Sequence, residues 1–316
     1  MDYLDEIIGQ ETVKDFLRNA LKKDKIYNLL FAGPKGVGKR QTAFALTKSL
    51  GCPLNSPNFM LIAPVPSYIK EREKDEKIFE YMKNYLPENP LVPIEDHASI
   101  LIKQIRNLIE WLLLMPVKET KRVVIILEAD RMNEEAANSF LKTLEEPPVD
   151  TIFTLTSSRP DYLMPTIRSR CQIIRFSYLN NHQIQNIIFE GADYFNLGSP
   201  GEILCLKENT LFETAREIFR KAPLSVSSVV RLSKEIEKEK LTDLFYALLL
   251  FYRCALYKYF NEQLGKEYQV DIIKKAQKLN PGKIINTLFM LNNCINLLVH
   301  NPNHLLLLFN TLLRLP

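Results

Sequence analysis

The fold of this chain is decided by the stretch Gly33-Pro34-Lys35-Gly36-Val37-Gly38-Lys39. An apolar run at 28–32 precedes it and a helix-like run at 41–50 follows it, which is the order of strand, glycine-rich loop and helix that a phosphate-binding loop requires. The three glycines allow successive backbone N–H groups to converge on phosphate oxygens at a helix N-terminus. The lysine that ends the stretch would reach the outer phosphates of a nucleotide.

The two positions that bind magnesium beside such loops carry residues that cannot ligate a metal. A Ser or Thr normally follows the loop lysine, and this chain has Arg40, whose guanidinium has donors and no lone pair. An Asp and a Glu normally follow the apolar run that begins at Arg122, and this chain has Leu127 and Glu128. Because Mg²⁺ bridges the β- and γ-phosphates in phosphoryl transfer, we predict no bound metal and crippled hydrolysis. Glu128 is interpreted as a carboxylate left at a strand end, without a catalytic role.

The candidate nucleotide-binding residues are those of the loop and its successor: Gly33, Gly36, Gly38, Lys39 and Arg40. Without a metal, Lys39 and the backbone amides would bind ADP or ATP weakly and without hydrolysis, and the charge of Arg40 would favour an anion. The residues leave open whether a nucleotide is bound. No cofactor is required by this interpretation.

Composition limits the remaining possibilities. The 316 residues suffice for two or three domains, and the net charge of +4 permits contact with nucleic acid without demanding it. The five cysteines lie far apart, which suggests neither a zinc site nor a disulfide framework and is typical of the reduced cytoplasm. The start lacks the basic region of a signal peptide, and the apolar runs are shorter than the about 20 residues that span a bilayer. We expect a cytoplasmic protein without a membrane partner.

The first half of the chain alternates helical and strand-like patterns. A helical pattern covers 2–25. Strands are predicted at 28–32, 58–63, 122–127, 151–157 and 172–176. Because the segments between the strands are mostly helical, the expected fold class is α/β, with a parallel sheet covered by helices on both faces. Asn133 is expected to cap a helix that Pro147 stops.

Two further regions have patterns of their own. The segment 69–93 is densely charged and then rich in proline, and we interpret it as a solvated helix and loop inserted in the first domain. From about Ser177 onward amphipathic helices take over, and the last of them is expected to have Asn301 as its cap and Pro302 as its first residue. Their apolar faces include Leu244, Leu248, Phe251, Leu305, Leu308 and Leu312. Such faces are most simply helix-bundle core, and a subunit interface is the alternative.

Several motifs together resemble the bacterial clamp-loader proteins of the AAA+ class. They are Ile8-Gly9-Gln10, the loop 33–39, Glu128-Ala129-Asp130-Arg131-Met132, Ala136-Ala137-Asn138-Ser139-Phe140-Leu141-Lys142-Thr143-Leu144-Glu145-Glu146-Pro147-Pro148 and Ser169-Arg170-Cys171. The Lys-Thr-Leu-Glu-Glu-Pro-Pro block and the Ser-Arg-Cys triplet at this separation are highly specific. The resemblance is clear over residues 1–206 and looser in the C-terminal helices.

The resemblance implies three domains and a trans-acting arginine. The domains are a RecA-like AAA+ P-loop domain at 1–176 with a degenerate nucleotide site, a small helical lid at 177–209 and a helical collar at 210–316 that joins five subunits in an arc. In this family the arginine of the Ser-Arg-Cys triplet contacts nucleotide bound by the neighbouring subunit. Arg170 is therefore the candidate catalytic residue, an arginine finger whose charge and paired donors suit phosphate oxygens. By itself, an arginine here is more often a partner in a structural ion pair.

Departures from the motifs of hydrolysing relatives point to one branch of the family. Arg40 and Leu127 resemble the delta-prime branch of DNA polymerase III clamp loaders rather than the hydrolysing gamma/tau branch. Hydrolysing relatives have a lid arginine in a Gly-Ser-x-Arg arrangement, where this chain has Gly198-Ser199-Pro200-Gly201. Many relatives carry a four-cysteine zinc module, whereas Cys52 stands alone, so we predict no zinc. The serines at 157–158 match the sensor position, with local backbone bonding as the simpler role.

The favoured function is a non-hydrolysing clamp-loader subunit in DNA replication, which braces the assembly and lends Arg170 to a neighbouring ATP site. The implied partners are the gamma/tau and delta subunits, with the sliding clamp and primed DNA contacted through the assembled complex. The alternatives are an active stand-alone AAA+ ATPase, such as a helicase loader or branch-migration motor, and a DNA-binding adaptor. Arg40 and Leu127 argue against the ATPase, and the modest net charge argues against the adaptor.

Overall fold

The structure is a computed structural model of the chain. It describes residues 2–24, 26, 28–69, 75–89, 94, 98–117, 121–180, 182–184, 199–201, 211–236, 240–260, 269–298 and 302–316. The chain divides into an N-terminal unit, Met1–Leu179 with Gly198–Gly201, and a C-terminal unit, Asn180–Leu197 with Glu202–Pro316. Most of the predicted lid lies outside the described residues, so a separate lid domain stays a prediction.

The N-terminal unit is built on a five-stranded parallel sheet, which confirms the predicted α/β class. Its strands are β1 (Leu29–Ala32), β2 (Phe59–Ile62), β3 (Arg122–Ile126), β4 (Thr151–Ser157) and β5 (Gln172–Arg175). They lie in the order β2-β3-β4-β1-β5, so β1 pairs with β4 on one side and β5 on the other. All five predicted strands are confirmed to within one residue at each end.

Helices cover both faces of the sheet. They are α1 (Glu11–Lys22), α2 (Lys39–Ser49), α3 (Asp75–Met82), α4 (Ile102–Leu113), α5 (Glu134–Glu145) and the short α6 (Pro165–Arg168). Successive residues of β1 point to opposite faces, so that Leu29 and Phe31 pack with α1, α2 and α3, whereas Leu30 and Ala32 pack with α4, α5 and α6. Because both faces are buried, the strands are recognisable in the sequence as nearly continuous apolar runs.

Two local predictions in this unit were wrong. The pattern at 2–25 is not one helix, because Gly9 and Gln10 take left-handed backbone conformations and separate a short 3-10 turn from α1. The charged segment does form a helix, but α3 is not fully solvated. Its residues Ile78 and Met82 are buried in the core on the α1 and α2 side of the sheet.

The cap and the end of α5 agree with prediction. The side chain of Asn133 accepts a hydrogen bond from the backbone N–H of Ala136 at 2.8 Å, and the helix ends at Glu145, before the proline pair. The last turn of α5 lies beside the start of β1, where Asn28 Nδ2 donates to the carbonyl oxygen of Leu144 at 2.9 Å. The C-terminal end of α5 is thereby fixed to the edge of the sheet where β1 begins.

The C-terminal unit is helical throughout its described part. Its helices are α7 (Leu211–Lys221), α8 (Val226–Glu235), α9 (Leu241–Phe260), α10 (Gln269–Lys278), α11 (Pro281–Leu298) and α12 (His304–Leu313). Its core surrounds α9, where the rings of Phe219 and Phe251 stack with centroids 5.4 Å apart and Phe219 meets Tyr252 edge to face at 5.0 Å. Leu244 and Leu248 are also fully buried, so this face of α9 is helix-bundle core.

The final helix begins later than predicted. Asn303 is the cap of α12, and its side chain accepts a hydrogen bond from the backbone N–H of Leu306 at 3.1 Å. Pro302 therefore precedes the helix and does not open it, and the proposed cap Asn301 lies outside the described residues. The two Asn residues that flank the proline are equivalent signals in the sequence, and only the backbone path distinguishes them.

The apolar face of α12 is only partly core. Leu308 and Leu312 are buried, but Leu305 is 57% exposed, which corrects its prediction as a core residue. Among the described helices, none combines the length and the apolar character needed to cross a bilayer.

The buried Lys275 on α10 gives a first testable prediction. Its ammonium donates to the carbonyl oxygen of Ala222, and burial, reinforced by Lys278, lowers its pKa from 10.5 to about 8. Between those pH values the folded state holds fewer protons than the unfolded state, so the free energy of unfolding should rise with pH from about 8 to 10.5. Urea denaturation of the parent and of Lys275→Met across this range measures the slope, which the substitution should reduce.

Lys274→Met is the control, because Lys274 is exposed on the same helix. It should keep the slope of the parent. A slope in Lys275→Met equal to that of the parent would show that folding does not shift the pKa of Lys275.

Candidate functional site

The glycine-rich loop leaves the carboxyl end of β1 and enters α2, which confirms the predicted order of strand, loop and helix. The N–H of Gly33 donates to the carbonyl oxygen of Ser157 at 3.2 Å. A Cβ at Gly33 would lie 2.4 Å from the carbonyl oxygen of Phe176, so only glycine fits there. Gly36 and Gly38 have φ angles of +73° and +97°, and Gly38 is the N-cap of α2.

The ammonium of Lys39 is turned into its own loop and is satisfied there. The residue is 5% exposed, and its Nζ donates to the carbonyl oxygens of Gly33 at 2.7 Å and Pro34 at 2.6 Å and to the hydroxyl of Ser158 at 3.0 Å. An ammonium has three N–H donors, and these three acceptors match them. A phosphate oxygen that bound this ammonium would replace one of these acceptors.

Two serines connect the loop to carboxylates beyond β3. Ser158 Oγ donates to Oε1 of Glu128 at 2.9 Å, so Glu128 ends a chain of hydrogen bonds that starts at the loop lysine. Ser157 Oγ donates to Asp130 at 2.7 Å, and the fully buried Asp130 side chain also accepts from Arg159 Nε at 3.3 Å. The sensor-position serines thus bind acidic side chains, and Ser157 Oγ also accepts from the backbone N–H of Arg159 at 3.1 Å. Sequence reasoning did not assign Asp130 a role, because a carboxylate after a strand carries no signal of its burial.

Neither departure from the magnesium-binding pattern supplies a metal ligand. Arg40 donates to the carbonyl oxygen of Asn89 at 3.3 Å, and Leu127 is 1% exposed in the apolar core of the α1 side. In the described part of the chain, no three His, Cys, Asp or Glu residues are grouped so as to hold a metal ion. Magnesium requires oxygen donors, so it does not fit the residues at these two positions.

The tip of the loop is covered by the segment 199–201, which sequence reasoning singled out only for its missing arginine. Ser199 is fully buried, and its Oγ donates to the carbonyl oxygen of Lys35 at 2.7 Å. The N–H of Gly201 donates to the carbonyl oxygen of Gly36 at 2.9 Å. A Cβ at Gly201 would lie 2.9 Å from the Cα of Gly36, so this approach leaves no room for an arginine.

Arg170 lies at the amino ends of the strands, whereas the phosphate loop lies at their carboxyl ends. It follows α6 and precedes β5, whose first residue, Gln172, pairs with Leu29 at the start of β1. The loop begins at Gly33, four residues further along β1. Because a strand advances about 3.3 Å per residue, about 13 Å of backbone separates the two ends. The structure therefore keeps Arg170 and Lys39, both candidate site residues, in two separate places.

The side chain of Arg170 is partly buried, and its guanidinium is bound by groups of its own chain. Nη2 forms an ion pair with Glu145 at the end of α5, and Nη1 donates to the carbonyl oxygen of Thr166 at 2.8 Å. Burial raises the pKa of the adjacent Cys171 thiol to about 12, so this thiol stays protonated beside the arginine. Arg170 is thus a partner in an ion pair within its own chain, and its side chain remains 31% exposed.

The buried side chain of Asn28 ties the polypeptide around Arg170 to the sheet, and sequence reasoning missed it. Its Nδ2 donates to the carbonyl oxygens of Leu144 at 2.9 Å and Arg170 at 3.3 Å, and the backbone carbonyl oxygen of Asn28 accepts from the N–H of Gln172 at 2.7 Å. An Asn just before an apolar run is an available signal. It does not reveal two partners that lie more than a hundred residues away in the sequence.

Comparisons with known proteins agree with these motifs. The family model described as DNA polymerase III, delta subunit, matches residues 9–180, which is more than half of the chain. DNA polymerase III subunit delta' of Bacillus subtilis (strain 168) is 33% identical over 182 residues, which cover 57% of this chain and 51% of that protein. DNA polymerase III subunit tau of Escherichia coli (strain K12) is 28% identical over 190 residues, which cover 58% of this chain and 28% of that protein.

The chain thus matches about half of one relative's length and less of the other's. Among solved structures, a DNA polymerase III gamma subunit-related protein of Thermotoga maritima is similar with a TM-score of 0.49 and 20% identity, and the alignment covers 95% of this chain and 97% of that one.

The close approach of the segment 199–201 to the loop makes a prediction about stability. Gly201→Ala should destabilise the N-terminal unit by about 1–3 kcal/mol, because the added Cβ meets backbone atoms of Gly36 at 2.9 and 3.0 Å that cannot move aside freely. Thermal denaturation and amide exchange of the loop measure the effect.

Gly282→Ala is the matched control. Its added Cβ would lie 3.5 Å from the nearest atom, Asn280 Oδ1, in the first turn of α11. Removing a glycine from a helix should stabilise it by about 0.5–1 kcal/mol. Equal stability of Gly201→Ala and the parent would mean that the segment does not pack on the loop.

Proposed function

Because this chain belongs to the family described as DNA polymerase III, delta subunit, we propose that it is a non-hydrolysing subunit of a DNA polymerase III clamp loader. In this proposal it assembles with gamma/tau and delta subunits, and the complex contacts the sliding clamp and primed DNA. Its own loop binds ADP or ATP weakly and requires no metal, while Arg170 completes the ATP site of a neighbouring subunit.

One observation carries the proposal: Arg170 and the phosphate loop lie at opposite ends of β1. A guanidinium so placed is out of reach of a phosphate in its own loop, because about 13 Å of strand lies between them. A residue displayed at the outer edge of the sheet, partly exposed and adjacent to α6, is instead available to a second subunit. This arrangement supports action in trans.

The hydrogen bonds of Lys39 within its own chain support the proposal that this subunit does not hydrolyse ATP. Lys39 already binds two loop carbonyls and a serine, and Arg40 and Leu127 offer no oxygen to a metal. A metal-free loop lacks the cation that offsets charge on the transferring phosphoryl group. The segment 199–201 adds steric closure at the loop tip.

The chemistry of the proposed finger follows from its side chain. A guanidinium keeps its charge at neutral pH and presents parallel N–H donors that match phosphate oxygens. An arginine supplied across a subunit interface stabilises charge that develops in the transition state, and such fingers contribute about 10³- to 10⁵-fold in rate. The neighbouring site supplies nucleotide and metal, and this chain supplies the cation.

Replacing the finger gives the direct test. In a complex with gamma/tau and delta subunits, the loop lysines of all ATP sites except the one adjacent to this chain are replaced, which leaves a single-site assembly. Arg170→Ala should then slow ATP hydrolysis by about 10³-fold or more, with assembly unchanged. Single-turnover hydrolysis and analytical ultracentrifugation measure the two quantities.

Arg168→Ala is the matched control. Arg168 lies two residues away and forms a similar surface ion pair with Asp161 at 3.0 Å, so its loss should leave hydrolysis near that of the parent. Unchanged turnover in Arg170→Ala would refute the role of the finger.

The isolated chain should show no turnover of its own. ATP hydrolysis is expected at the background rate, and the affinity for ADP should be the same with Mg²⁺ and with EDTA, because no residue at position 40 or 127 ligates the metal. Lys39→Ala should weaken the binding of ADP. Magnesium-dependent hydrolysis that disappears in Lys39→Ala would instead identify an active stand-alone ATPase.

A further inference from the structure

The polypeptide around the candidate finger is fixed by one buried residue, Asn28. Asn28 is 6% exposed, and its Nδ2 donates both to Leu144, the residue before Glu145, and to Arg170 itself. The backbone carbonyl oxygen of Asn28 accepts from the N–H of Gln172, which follows the triplet. The backbones that carry the acidic and the basic partner are therefore bound to a common point at the start of β1.

The side chain of Arg170 is also bound by groups of its own chain. Glu145 pairs with Nη2 of Arg170, and the carbonyl oxygen of Thr166 accepts from Nη1 at 2.8 Å, so the guanidinium is held from two directions. The Arg170 side chain is 31% exposed and that of Glu145 is 48% exposed. The pair therefore lies at the surface, where both side chains are partly accessible.

An exposed ion pair contributes little free energy, so the pair with Glu145 does not prevent Arg170 from binding another anion. It does favour one orientation of the guanidinium. A long arginine side chain that is already ordered loses less conformational entropy when it meets a phosphate. A small displacement of a catalytic group lowers rate strongly, so orientation is the property that such contacts control. The geometry is therefore consistent with an Arg170 side chain that is oriented before it meets a phosphate.

We propose that Asn28 and Glu145 are positioning residues for Arg170: the amide fixes the backbone of the finger, and the carboxylate orients its guanidinium toward an anionic group on a second subunit. This inference rests on the proposed function, in which that group is a nucleotide phosphate at the neighbouring ATP site. Neither residue touches the nucleotide in this arrangement, and both act through Arg170.

The carboxylate is tested in the single-site assembly defined above. Glu145→Ala should lower kcat for ATP hydrolysis about three- to tenfold with KM for ATP unchanged, because orientation affects the transition state and not the binding of substrate. Glu145→Gln keeps an oxygen acceptor and should retain more of the rate than alanine. The exposed neighbour Glu146 provides the controls, and Glu146→Ala and Glu146→Gln should match the parent.

The amide is tested against a second buried asparagine at the same position relative to a strand. Asn58 precedes β2, is 2% exposed, and bonds both backbone polar groups of Val117 at 3.0 Å. Asn28→Ala and Asn58→Ala should both lower the denaturation midpoint. Only Asn28→Ala should also lower kcat, when both are assayed at a temperature where circular dichroism shows them folded.

A double substitution separates the possible failures. If Arg170→Ala abolishes hydrolysis and adding Glu145→Ala causes no further loss, the two residues act as one unit, as proposed. If Arg170→Ala is inactive but Glu145→Ala and Asn28→Ala turn over like the parent, the positioning inference is wrong and the finger stands. If Glu145→Ala is faster than the parent, the carboxylate restrains the finger, which also overturns the inference. Parental turnover in Arg170→Ala refutes both proposals.

Discussion

The arrangement of this protein depends on the length of one short parallel strand. β1 has four residues, and it separates the phosphate loop at its carboxyl end from Asn28 and the arginine turn at its amino end. A strand is rigid on this scale because both of its edges are paired, here with β4 and β5, and both of its faces are buried. The sheet therefore acts as a spacer of about 13 Å between the glycine-rich loop and Arg170.

In the phosphate loop, the hydrogen-bond donors of the lysine are bound by acceptors of the same chain. Its lysine is nearly inaccessible, and buried ammonium groups must be paired with acceptors. In this chain the acceptors are backbone carbonyls and Ser158, which is itself bound to Glu128. The segment 199–201 then bonds the outer carbonyls of the loop tip. The loop is thus held by contacts within the chain, which fix its shape.

The accuracy of the sequence-based predictions follows the range of the physical signals. Strands buried on both faces are continuous apolar runs, and a cap such as Asn133 acts within three residues, so both were predictable. The burial of α3 was not, because its charged residues hide a short apolar stripe that packs on a sheet formed by distant segments. The prediction that Leu305 is a core residue was wrong, because periodicity identifies an apolar face but does not show whether another element covers it.

The sequence by itself determined the fold class, the strand limits, the loop and the two positions without a metal ligand, because each depends on residue type and local spacing. The tertiary structure alone decided that Lys39 is satisfied inside its loop, that Gly201 lies against Gly36, and that Asn28 and Glu145 hold Arg170. Several of these contacts join residues that are far apart in the chain: Lys39 and Ser158 are separated by 119 positions, and Asn28 and Arg170 by 142. Only the packing of the sheet and its helices brings such residues within hydrogen-bonding distance, and no local pattern encodes that.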